Sequence, residues 1–62
     1  MCLSTVYTAE KKPENEVMHN VMLIQCENGT VTLTDIMGRE AVVEGEIASA
    51  DLTGGTVIIR KK

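Results

Sequence analysis

Apolar and polar positions alternate along most of this chain, and turn-forming residues break the alternation at short intervals. A period of two marks β-strands, because successive side chains point to opposite faces. The cleanest case is residues 31–34, where Val31 and Leu33 lie on one face and Thr32 and Thr34, with the preceding Thr30, on the other. Just before it, Asn28-Gly29 lies between two apolar runs. Both residue types accept positive φ, so the pair specifies a type I′ hairpin turn. Further strands are expected at residues 2–9, 17–27, 40–44, 46–52 and 56–61, rich in Val, Ile, Leu and Thr. A polar connection, residues 10–15, holds the only proline. Residues 35–39 and 53–55 read as turns. No segment must be helical, although residues 46–51 could make a helical turn.

Five or six short antiparallel strands in a single domain of residues 1–62 are too few for two full sheets. They suit an all-β fold, a small, partly open SH3-like barrel, which leaves few exposed edges. The second strand carries more apolar residues than one buried face needs. Met22, Ile24 and Cys26 share one side, and Val21 and Leu23 share the other with Gln25 and Glu27. Either a bulge or a covering loop accommodates the surplus, or Val21 and Leu23 help form a dimer interface.

Size sharpens the second option. A chain of 62 residues buries only about 60% of its unfolded surface. Its two cysteines allow at most one bridge, so association is an expected source of stability. The low cysteine count fits a reducing compartment. The first fifteen residues lack the charged start and apolar run of a signal peptide. The apolar runs are far too short to span a membrane, and a cytoplasmic protein is expected. The net charge of −3 and the single aromatic residue, Tyr7, argue against nucleic acid binding, which needs positive charge and stacking side chains. The one basic cluster, Arg60, Lys61 and Lys62, reads as a solvated end.

The candidate chemistry is at the start. Cys2 stands directly behind Met1, at the free end of a strand. Its thiolate, its own amide nitrogen and the Met1 amine can close two five-membered chelate rings on one metal ion. A nitrogen and sulfur set of this kind suits square-planar Ni(II) or Cu(II) better than tetrahedral Zn(II). One chain offers no obvious fourth ligand, and a second chain could supply it. The plainer reading is that Cys2 is incidental. Cys26 is expected to be a buried small hydrophobe, His19 a surface or hydrogen-bonded residue, and Met18, Met22 and Met37 core filling. The carboxylates are scattered, with no CxxC, no phosphate-binding glycine loop and no Ser/His/Asp order. Nothing forms the convergent pocket an enzyme needs.

The start Met1-Cys2-Leu3-Ser4-Thr5-Val6-Tyr7, the Asn28-Gly29 turn, the segment Val31-Thr32-Leu33-Thr34-Asp35-Ile36-Met37-Gly38 and Ala50-Asp51-Leu52 resemble the CooT family. These are small nickel-binding proteins linked to maturation of carbon monoxide dehydrogenase. The resemblance implies a dimeric small β-barrel that binds Ni(II) through Cys2. That role carries over neither to Cys26 nor to His19. The expected function is a non-enzymatic, metallochaperone-like accessory protein, with Cys2 and Met1 as metal ligands. It would hold one Ni(II) per homodimer for a client such as carbon monoxide dehydrogenase. The competing expectation is a β-barrel interaction module that binds RNA or a protein, with Cys2 incidental.

Overall fold

The structure, a computed structural model, describes residues 3–61. Five strands follow one another: β1 (Ser4–Thr8), β2 (Glu16–Glu27), β3 (Thr30–Asp35), β4 (Glu40–Asp51) and β5 (Thr56–Lys61). The expected all-β, SH3-like barrel is the fold found, with two refinements. The ring is closed, in the order β1-β2-β3-β4-β5, rather than partly open. Four of the pairings are antiparallel, but the seam between β1 and β5 is parallel. An odd number of strands in simple up-and-down succession leaves the first and last pointing the same way. Only a parallel seam can then close the ring.

Five strands replace the expected five to six because residues 40–44 and 46–52 are one strand. Strands β2 and β4 are long, and each serves both halves of the barrel. In β2, residues 16–21 pair with β1 and residues 21–27 with β3. In β4, residues 40–44 pair with β3 and residues 45–51 with β5. A strand that crosses between two halves must bend. Gly45 makes the bend in β4, at φ +154°, where a Cβ would collide with the Arg60 carbonyl. Its N–H donates to the Gly29 carbonyl at 2.8 Å, tying the bend to the β2–β3 turn. Extra residues on the long strands add curvature as bulges do. In β4 Ser49 and Ile47 face the neighbours Ile58 and Ile59. In β2 Leu23 and Val21 face the neighbours Thr34 and Asp35.

That β2 bulge resolves the surplus of apolar residues. Val21 turns inward and is 2% exposed, while both Met22 and Leu23 point out. Val21 is therefore core and cannot serve an interface. Ile24 returns to the inner side and packs against the core. The core is Val6, Val21, Val31, Leu33, Val57 and Ile59, with no aromatic ring among them. Burying each such side chain contributes about 1.5–3 kcal/mol.

The turns follow the sequence closely. Asn28 and Gly29 have φ of 50° and 77°, as a type I′ turn requires. Residues 10–15 form the expected polar connection, with a short 3₁₀ turn at Pro13–Asn15. Proline opens it, where a missing N–H costs no helical hydrogen bond.

Candidate metal centre

The two expected ligands, Met1 and Cys2, lie outside the described residues. The chain that leads to them is described from Leu3 onward. Ser4 pairs with Val21 of β2, and Thr5 pairs with Thr56 of β5. The start of β1 is thus flanked on both sides by backbone. The Thr5 N–H donates to the Gly55 carbonyl at 2.8 Å. Gly55 sits at φ +69° with the Leu3 carbonyl beside it, and a Cβ there would lie 3.0 Å from that oxygen. The turn before Gly55 is fixed by Asp51, whose Oδ1 accepts from the N–H groups of Thr53 (3.1 Å) and Gly54 (2.9 Å). This carboxylate-to-backbone pattern is the local device by which Asp stabilises turns.

The same end of the barrel is apolar on its outside. Met22 follows Val21, the partner of Ser4. Leu52 follows Asp51, which pairs with Thr56. The Ile36 N–H donates to the Asn20 carbonyl at 2.9 Å, beside Val21. All three side chains are exposed, Leu52 by 73%.

The remaining sulfur and nitrogen groups do not gather. Cys26 is exposed, not buried as its strand position suggests. The pairing of β2 with β1 ends at Val21 among the described residues. Beyond it, among the described residues, β2 pairs with β3 alone, and the side chain opposite Val31 is exposed. Cys26 there neighbours Gln25, Glu27 and Asn28 in an open depression. His19 is at the surface as expected, with Nδ1 3.3 Å from Glu16 Oε2. Met18 packs against the core, but Met22 and Met37 are exposed rather than core filling. Arg60 reaches Glu46 at 3.3 Å, and Lys62 lies outside the described residues. Among the described residues, no group of three or more His, Cys, Asp or Glu side chains could hold a metal ion.

Sequence reasoning missed Asp35. It is 1% exposed and organises the β3–β4 turn. Its Oδ1 accepts from the N–H groups of Met37 and Arg39, both at 2.9 Å, and its Oδ2 accepts from Arg39 Nε at 2.8 Å. The signal was present: Asp35 has the same parity as Val31 and Leu33, an inward position, and Gly38-Arg39 follow. No helix in the described residues is long and apolar enough to cross a membrane.

Comparison with known proteins adds two findings. The family model described as CO dehydrogenase accessory protein CooT matches residues 1–60. Three solved chains match. One is a crystal structure from Carboxydothermus hydrogenoformans assigned to CooT, similar at a TM-score of 0.85 over 98% of each chain with 15% identity. At that identity the likeness speaks for the fold alone. No curated protein matches the chain.

Proposed function

The chain belongs to the CooT family of CO dehydrogenase accessory proteins, and on that premise we propose that it holds Ni(II) at Cys2 for delivery to a nickel enzyme such as carbon monoxide dehydrogenase. As an accessory protein it is not itself an enzyme. The observation that carries the reading is the extent of the family match, residues 1–60, which takes in Met1 and Cys2. The chemistry agrees with it. A thiolate with backbone nitrogens is a donor set that square-planar Ni(II) accepts. The Met1 amine and the Cys2 amide supply those nitrogens.

Nickel is cargo here, held for release to a partner. The ion is shared by two chains of a cytoplasmic homodimer, because one chain has a single thiolate at this end. A two-fold axis places any residue near it beside its own copy, and two Cys2 thiolates then complete the set with backbone nitrogens. The exposed Met22 and Leu52, on the end where β1 begins, favour association there.

The test is a nickel titration of the wild type beside Cys2→Ser, read by intact-complex mass and by absorption. One nickel per two chains, with a square-planar thiolate spectrum lost in Cys2→Ser, is expected. Equal affinity in the two proteins overturns the reading. The mass also reports whether Met1 is present.

A further inference from the structure

We propose that the edge of β4 turned away from β3, at Glu40 and Val42, is a docking site for an extended, basic segment of a partner protein, which adds to the barrel as a strand alongside β4.

The edge follows from the register. Residues 40–44 of β4 pair with β3 on one side. On the other side β5 joins only from Gly45 onward, where Gly45 pairs with Lys61. Hydrogen-bonded pairs alternate along an antiparallel ladder, and the Asp35 N–H donates to the Arg39 carbonyl at 2.9 Å. Arg39, Ala41 and Val43 therefore turn their backbone groups toward β3, and Glu40 and Val42 turn theirs the other way. Among the described residues, no strand pairs with that side of Glu40 and Val42. Such an edge is a template for another strand, and strand addition grips a peptide through its main chain. A segment bound there takes up the line of β5 where β5 ends.

A groove of about 520 Å³ lies beside the edge, between β4 and the start of β2. Val17 and Val43 line it and also pack against the core. Three exposed carboxylates, Glu14, Glu16 and Glu44, line it against a single amine, that of Lys61. Glu16 is also 3.3 Å from His19 Nδ1. An extended segment points alternate side chains in opposite directions. One set can meet the valines, and a basic set can meet the carboxylates. A second copy of this chain, with its net charge of −3 and the same acidic groove, has the wrong charge for the place.

The full chain is titrated, with amide NMR as the readout, against a blocked peptide of alternating Lys and Val, about six residues long. A matching peptide of Glu and Val is the control. The basic peptide is expected to give saturable shifts of the Glu40 and Val42 amides and to slow exchange of the Val42 amide with solvent. The acidic peptide is expected not to bind. Glu14→Lys combined with Glu16→Lys should weaken binding of the basic peptide roughly tenfold. Val42→Pro deletes the edge N–H where it points away from the ladder, a position that tolerates proline, and should lose the binding. If Val42→Pro does not fold, the wild-type shifts at Glu40 and Val42 decide the matter. No binding, equal binding of the two peptides, or shifts confined to the apolar end at Met22 and Leu52 overturns the proposal. Val42 shifts that grow with protein concentration alone seat a second copy on the edge and overturn it as well.

Discussion

Arg39 holds Asp35 at both carboxylate oxygens, through its backbone N–H to Oδ1 at 2.9 Å and its Nε to Oδ2 at 2.8 Å. The acid is 1% exposed, while the Arg39 side chain is 70% exposed. Burial pushes the Asp35 carboxyl up. The backbone and side-chain N–H groups of Arg39, the Met37 N–H and the guanidinium charge outweigh it and set the pKa below the ordinary 3.8. The turn that displays Ile36 and Met37 is therefore built on an ionised, inward-facing acid.

A lowered folded pKa gives stability that is present above the unfolded value and lost as pH falls through the folded one. Urea midpoints should thus hold from neutral pH down to about 4 and drop below it. In Asp35→Asn the midpoint at pH 7 should be lower and the acid drop shallower. An acid limb identical to wild type would assign it to other carboxylates.

The bend in β4 makes a sharper test of backbone geometry. Gly45→Ala adds positive-φ strain, of order 1–3 kcal/mol, and a collision with the Arg60 carbonyl and the Lys61 α-carbon. Gly38→Ala adds the strain alone. Denaturant unfolding should show Gly45→Ala as the more damaged by a clear margin. Equal losses would mean that the β4–β5 pairing gives way at no cost.

Core and surface should separate on β3. Leu33 is fully buried, and Leu33→Ala should cost about 2–5 kcal/mol. A domain of this length has roughly 3–9 kcal/mol in all, so the variant should be partly unfolded at 37 °C. Thr32 lies on the other face, opposite Val42, and Thr32→Ala should stay within about 1 kcal/mol. Paired urea curves measure both.

These cases also mark what the sequence could convey. Residues 28–34 were legible throughout, because the turn pair and the period-two pattern are local properties and the strand pairs on both sides. The β2 faces were not. Parity predicts Val21 and Leu23 together, and the bulge that separates them arises from the barrel's curvature. Gly45 read as a break between two strands, yet it is the bend within one. Cys26 looked buried by its spacing, but burial there depends on how far β1 reaches along β2. For the candidate site, Met1 and Cys2 rest on ligand chemistry alone and lie outside the described residues. The contact between Gly55 and Leu3 was not legible, because it joins residues from opposite ends of the chain.

The proposed homodimer makes the last prediction. Leu52 is 73% exposed in a turn held by Asp51, at the barrel end where β1 begins. Its removal should cost the single chain almost nothing, within about 0.5 kcal/mol. In a two-fold dimer formed at that end it is buried twice, once from each chain. Full burial of a leucine is worth about 1.5–3 kcal/mol, and each 1.4 kcal/mol is about a tenfold change in dissociation constant. Leu52→Glu also brings two like charges together across the axis. Sedimentation of the nickel-loaded proteins should therefore show dimer dissociation at least about tenfold weaker in Leu52→Glu than in wild type, at equal urea midpoints. Unchanged dimerisation in the variant would place the interface on another face of the barrel.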